Sequence, residues 1–421
     1  MKIRKTAVAL IVLGLVLVMT VNLSGCSVTA SAKDLMEGIE GRMTDNPGEV
    51  TPANAESVTG FALRLFTNCA EKGKNVLVSP VSVIAALAMT ANGAKGETLE
   101  QMESVLGMKS GELNAFYMAY NCLVVPADDD NKLNLANSIW IKEGDGLEVS
   151  RDFLQTNADY YRADAYKAPF DRSTLADINN WVKDKTDGMI PEILDRIGEN
   201  AEMYLVNALA FDAKWATPYT KQQVEQGTFT NAGGKEQKVD FLQSAAEKMY
   251  LSDGKATGFI KLYSGGRYAF AALLPNEGLS PEDYLAGLDA KALLEMLANP
   301  EQVKVETAIP KFKTEYSNEL SGILSAMGMP DAFENGKADF SGIGTIPGGD
   351  LAIGRVIHKT YVAVDENGTK AGAATAVEMN TKGIIELPEN SKKVILDRPF
   401  VYMLIDTETN IPFFIGIVNE I

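Results

Sequence analysis

Apolar positions along this chain of 421 residues follow two periods, one of three to four residues and one of two, and the switches between them mark out the elements. Residues 61–72 (FALRLFTNCAEK) place Phe61, Leu65, Phe66 and Cys69 on one helical face, and Gly73 supplies the stop. A short strand, 75–78, follows. Ser79-Pro80 then suits a helix start, serine as the cap and proline in the first turn. The run VSVIAALAMTANG is apolar nearly all round, which predicts a helix in the middle of the fold. Gly93 and Gly96 read as helix termination and turn rather than as a phosphate cradle. AKGETLEQM opens the next helix, and residues 111–125 (GELNAFYMAYNCLVV) make another. Residues 133–141 and 204–211 are apolar strands with embedded asparagines, separated by DINNWVKDKTDGMIPEIL as helix and turn. Residues 258–274 predict two strands around a Ser-Gly-Gly turn. Helices follow within 280–299, an alternating strand at 303–312, and a helix at 316–327.

One stretch carries two messages. In residues 364–383 (VDENGTKAGAATAVEMNTKG), every second position from Thr369 is small or apolar: Thr369, Ala371, Ala373, Thr375, Val377 and Met379. The intervening set holds Lys370, Gly372, Glu378, Asn380 and Lys382. Such alternation marks a strand with one buried face, while the glycines and the run of alanines weaken it as a strand. The segment reads as a loop in one state and a strand in another. DENGTKAGAATA resembles the hinge of a serpin reactive-centre loop, with VIHKTYVAVDE before it and DRPFVYMLIDTETNIPFFIGIVNEI closing the chain. NVLVSPVSVIAALAMTANGAKGETLEQMESVLG resembles the early serpin segment, so the likeness covers residues 55–421. It implies an α+β class and the serpin fold: a large central β-sheet, additional β-sheets, about eight or nine helices and an exposed reactive-centre loop.

The resemblance also implies site residues. Glu366, Gly368, Thr369, Ala371, Gly372, Ala373 and Ala374 match the hinge. Ser79, Ser82, Asn207 and His358 match a polar cluster beneath the large sheet, where strands part to admit the loop. Trp215 matches the place where insertion begins. The reactive bond of the family lies seventeen residues into the loop from the hinge glutamate, which names Lys382-Gly383, with Met379 as the alternative and Leu387 more distant. Lysine there suits a trypsin-like protease, whose specificity pocket ends in a carboxylate; a subtilisin- or chymotrypsin-like target goes with Met379. Lys370 departs from the acidic residue usual in the family but falls in the solvent-facing set. Residues 384–394 are long before the Arg398-Pro399-Phe400 anchor, which sets the loop's shape apart from the family pattern.

The N-terminus belongs to targeting rather than to the fold. Lys2, Arg4 and Lys5 precede an apolar run over 7–21 and then Leu23-Ser24-Gly25-Cys26, the order of a bacterial secretory signal. That tetrapeptide resembles a lipobox, implying a signal peptide at 1–25, lipidation of Cys26, a flexible tether over 26–52 and one domain over 53–421. The expected location is the bacterial cell envelope, lipid-anchored and facing periplasm or outside. The rival is an uncleaved membrane helix, for which the run is short of the span of about 20 residues.

Composition removes other classes. A net charge of -17 argues against nucleic acid as a partner. The 111–125 helix resembles one that binds a sulfated polysaccharide through basic residues in some serpins, and it holds no basic residue. Cys69 and Cys122 read as small buried hydrophobes rather than a disulfide framework. Asp128-Asp129-Asp130-Asn131 lacks the glycine and distal glutamate of a calcium loop and reads as a solvated turn. The glycines at 342, 344, 348 and 349 follow no apolar strand and open no clear helix, so they are not a nucleotide loop. The single histidine, His358, excludes a zinc site built from several histidines. With no Gly-x-Ser-x-Gly elbow in the chain, His358 reads as structural rather than as the base of a hydrolase triad. The expectation is a monomeric, non-enzymatic serine protease inhibitor without cofactor or metal; the alternative is a non-inhibitory serpin acting as a binding or chaperone-like module.

Overall fold

The computed structural model describes residues 32–42, 46–124, 131–144, 148–198, 201–345, 351–369 and 391–421. Among these residues the chain forms nine α-helices and three β-sheets. The helices are α1 (Pro52–Cys69), α2 (Pro80–Ala91), α3 (Gly96–Leu106), α4 (Ser110–Val124), α5 (Arg151–Tyr161), α6 (Arg172–Lys185), α7 (Pro281–Ala286), α8 (Ala290–Ala298) and α9 (Ser321–Met327).

The seven-stranded sheet is built from β1 (Lys33–Asp34), β3 (Asn131–Lys142), β5 (Asp164–Ala168), β6 (Met203–Lys214), β12 (Phe312–Glu319), β14 (Arg355–Val364) and β15 (Gly368–Thr369). Their spatial order is β1-β5-β3-β6-β15-β14-β12. The nine-stranded sheet comprises β2 (Val76–Val78), β7 (Val224–Thr230), β8 (Glu236–Ser252), β9 (Ala256–Leu262), β10 (Tyr268–Pro275), β11 (Glu301–Pro310), β16 (Lys392–Ile395), β17 (Phe400–Asp406) and β18 (Pro412–Val418). A two-stranded pair, β4 (Glu148–Val149) with β13 (Gly344–Thr345), completes the set.

Helix α2 lies where its composition demands. All twelve of its residues are buried, and it packs against both β6 and β18, one strand from each large sheet. On the opposite face of the seven-stranded sheet, α6 seats Ile178, Trp181 and Val182 in a second core with Trp140, Tyr204, Val206, Ala208 and Ile357. Asn179 fastens the turn after α6: its amide donates to Leu194 O at 2.9 Å, and its carbonyl accepts from the N–H groups of Ile193 and Leu194.

Four expectations change. Helix α1 starts at Pro52, nine residues before Phe61, because Thr51 and Asn54 form a reciprocal cap ahead of it. Residues 316–319 are strand, not helix: Phe312, Thr314 and Tyr316 turn inward in the alternation of β12, which pairs with β14 from Phe312↔Val364 to Glu319↔Ile357, and α9 begins only at Ser321. Cys69 is buried, but Cys122 is exposed on α4; both are free thiols. The tether is corrected for the part that is described. Residues 32–42 are docked on the domain, with β1 paired to β5, Leu35 N–H donating to Ala165 O at 2.9 Å, and Arg42 in an ion pair with Asp159. A lone edge strand such as β5 has open hydrogen-bonding groups, and this segment covers them.

Candidate functional site

Strand β14 ends in a tight turn that sends the chain back into its own sheet. Asp365 makes the turn: its carboxylate accepts from the N–H groups of Asn367 at 2.7 Å and Gly368 at 3.2 Å, and its own N–H donates to Gly368 O at 3.0 Å. Beyond it, β15 is antiparallel to both neighbours, with Thr369 opposite Val364 of β14 on one side and Ala213 of β6 on the other. Gly368 is required by this wedge, since a Cβ there would stand 2.0 Å from Ala213 O.

Thr369 is fully buried, and its hydroxyl shares a hydrogen bond with that of Tyr263. Burial pushes the Tyr263 phenol well above its ordinary range, so it serves as a neutral hydrogen-bonding group. Trp215 stacks on Tyr263 with ring centroids 4.6 Å apart and planes 7° from parallel. Its indole N–H donates to Asp365 O at 2.8 Å, and its backbone N–H donates to Asn367 O at 2.9 Å. Tyr219 N–H donates to Glu366 O at 2.9 Å. The Glu366 carboxylate pairs with Lys311 at 2.6 Å. Burial works to raise this carboxyl and the Lys311 ammonium outweighs it, holding the group below its ordinary value.

Below the wedge the sheet is closed differently. β14 and β6 pair directly and in parallel from Arg355↔Tyr204 to Lys359↔Ala208. Between that zipper and β15, residues 360–363 and 209–212 have no pairing to each other among the described residues.

The polar groups at that pair form a row. Asn137, Asn207 and His358 stand opposite one another on β3, β6 and β14. The Asn207 amide donates to Asn137 Oδ1. His358 is buried, and its Nε2 accepts from Ser79 N–H at 3.0 Å at the start of α2. Thr360, two residues along, donates to Leu77 O at 2.8 Å. Among the described residues the Ser79 and Ser82 hydroxyls, Asn207 Oδ1 and His358 Nδ1 have no partner. Burial lowers the His358 imidazole from 6.5 to about 4. Because Nε2 already takes a backbone N–H, its lone pair is not free to deprotonate a serine, as a triad base requires.

Of the hinge residues, Glu366 sits in the turn and Gly368 and Thr369 form β15. Ala371, Gly372, Ala373, Ala374, Met379, Lys382 and Gly383 lie outside the described residues, as do Leu387, Cys26 and the signal segment 1–25. Three groups at the site were not singled out from the sequence: Tyr263, Asp365 and Asn137. Asp365 had a signal, since Asp-x-Asn-Gly is turn chemistry; Tyr263 had none, because only the fold brings it to Thr369. No group of three or more candidate metal ligands occurs among the described residues.

This arrangement, a chain that turns at Asp365 and enters its own sheet between two parallel strands, defines a class of protein, and sequence comparison agrees with it. Residues 56–421 match the family model described as serpin (serine protease inhibitor), and the chain belongs to the serpin family. It is 32% identical over 377 residues to serpin B6 of Macaca fascicularis, covering 86% of this chain and 98% of that one. It is 30% identical over 376 residues to leukocyte elastase inhibitor A of Rattus norvegicus, covering 85% and 96%. The crystal structure of the thermophilic serpin tengpin in its native state is similar at TM-score 0.87 and 43% identity, covering 93% of this chain and 100% of that one. The latent state of tengpin matches less closely, at TM-score 0.76 over 91% and 100%.

Proposed function

We propose that the protein inhibits a serine protease as a suicide substrate, with a trypsin-like enzyme as the target and Lys382-Gly383 as the reactive bond. The observation that carries the reading is β15: Gly368 and Thr369 are already antiparallel to β6 and β14 and already buried. Every further residue of a cleaved loop would extend that strand.

The protease serine attacks the Lys382 carbonyl, the amine of Gly383 leaves with a proton from the enzyme's histidine, and an ester joins the two proteins. The freed segment from Thr369 then enters between β6 and β14, carrying the ester to the far end of the sheet before water can hydrolyse it. Ala371 and Ala373 follow Thr369 on the face toward α2, and Gly372 and Ala374 on the other. Small side chains there avoid overpacking, which costs about 1–3 kcal/mol per misfit in a filled core. About a dozen new backbone hydrogen bonds at roughly 0.5–1.5 kcal/mol each supply a driving force on the order of 10 kcal/mol. The active form is then stable by its barrier.

The test is to mix the chain from Ser27 onward with trypsin on denaturing gels and identify the cut by mass spectrometry. A band surviving SDS at the summed mass, with a released peptide starting at Gly383, is the expected result. Clean cleavage without that band, repeated with subtilisin-, chymotrypsin- and elastase-like enzymes, would move the protein to the non-inhibitory reading. The proposed envelope location rests on lipidation of Cys26, and Cys26→Ser is expected to release the protein from the membrane fraction.

A further inference from the structure

A buried ion pair lies beside the segment that holds the turn. Lys261 stands on β9 among the buried Phe259, Ile260 and Tyr263, and its side chain is 4% exposed. Its Nζ lies 2.7 Å from Glu247 Oε1 on β8, whose side chain is 12% exposed. The same ammonium is 3.5 Å from Thr217 O, 4.6 Å from the Tyr219 ring centroid and 5.4 Å from that of Trp215.

A buried ion pair commonly does no better for stability than apolar residues of the same volume, and methionine would fill this site. What the pair adds is direction. Glu247 fixes the ammonium on one side, and on the other the ammonium holds two aromatic rings by cation–π attraction and a backbone carbonyl by its hydrogen. Those three partners, Trp215, Thr217 and Tyr219, span the short segment after β6. That segment donates three hydrogen bonds to the carbonyls of Asp365, Glu366 and Asn367.

We infer that Lys261, held by Glu247, is a positioning residue for loop insertion: it fixes residues 215–219, which hold the 365–368 turn in the geometry from which β15 elongates. The inference rests on the inhibitor reading for its consequence, though not for its geometry. Ion pair, rings, segment and turn form one chain of contacts from β8 to the hinge. If that chain is loosened, the cleaved loop begins insertion more slowly, the ester is hydrolysed more often before translocation, and more inhibitor is consumed per protease trapped.

The test uses Lys261→Met, Glu247→Gln, the double variant, which strands no buried charge, and Lys261→Arg as the conservative replacement. Amide hydrogen exchange in the intact protein is expected to quicken about tenfold at residues 215–219 and 365–369 in Lys261→Met and in the double variant, while β10 and β17 keep their protection. The number of inhibitor molecules consumed per trypsin trapped is expected to rise at least twofold, and Lys261→Arg to restore both readings. Unchanged exchange at the turn overturns the inference, as does a rise spread evenly over both sheets, which would mean a packing defect. Local quickening with unchanged stoichiometry overturns it too. Should the wild-type protein trap no protease, the inhibitor reading falls and the exchange measurement alone decides whether Lys261 positions the turn.

Discussion

His358 makes the stability of this protein depend on pH in a way that can be followed at one atom, because the chain has no other histidine. The imidazole is buried between β14 and the start of α2, accepts Ser79 N–H through Nε2, and is lowered from 6.5 to about 4 by desolvation of its charged form. The unfolded chain takes up a proton near 6.5, whereas the folded one does not until about 4. Unfolding therefore binds a proton between those values, and the contribution present above pH 6.5 is lost progressively as pH falls toward 4. At about 1.36 kcal/mol per unit, that loss is on the order of 3 kcal/mol. Carboxylates such as Asp159 and Glu103, held low by Arg42 and Lys109 against the pull of burial, lose stability in the same direction at lower pH, so the comparison is made against His358→Gln. Urea unfolding from pH 7.5 to 4.5 is expected to show the wild-type protein losing about 2–3 kcal/mol more than the variant. Proton NMR of the imidazole in tag-free protein provides the direct check. A resonance titrating near its ordinary value in the folded state, or equal pH slopes for the two proteins, would refute the assignment of His358 as a buried neutral group.

Three further outcomes are expected. Thr369→Arg would put an unpaired cation at a fully buried position between β6 and β14; at a cost of several kcal/mol the inserted state is lost, and gels should show cleaved protein without an SDS-stable complex. Gly368→Ala pushes a methyl group to within 2.0 Å of Ala213 O; it should unseat β15 and cost about 1–3 kcal/mol, seen as lost amide protection at Thr369. Arg267→Met leaves Asp406, buried and paired to it, without its cation; urea unfolding should show a loss of about 3–5 kcal/mol.

Local pattern made much of this readable in advance, and the gaps have physical causes. The helix over 80–91 was legible because apolar residues on every side leave only the interior for it. Thr369 was legible because alternation persists where composition opposes a strand. Residues 316–319 were misread because Tyr316, Leu320 and Ile323 also fit a helical face, and only the pairing of β12 with β14 decides between the two periods. The docking of residues 32–42 was missed because their three core-packing side chains, Leu35, Met36 and Ile39, are too few to set a period, and the backbone of an edge strand and the Arg42–Asp159 pair do the rest. Lys261 and Glu247 lie on different strands, and neither residue's neighbours in sequence foretell the other. The small-residue pattern at 371–374 and the bond at Lys382-Gly383 lie beyond the described residues, and chemical trapping tests them.

The proposed inhibition depends on one step, entry of the segment beyond Thr369 into the sheet after the chain is cut. Thermal unfolding of the intact protein beside protein cleaved once within residues 370–390 tests it most directly. Insertion worth on the order of 10 kcal/mol should raise the midpoint by about 10–20 °C, with no change in the mass of the assembled fragments. A cleaved form that melts at or below the temperature of the intact one would contradict insertion, and with it the proposed mechanism of inhibition.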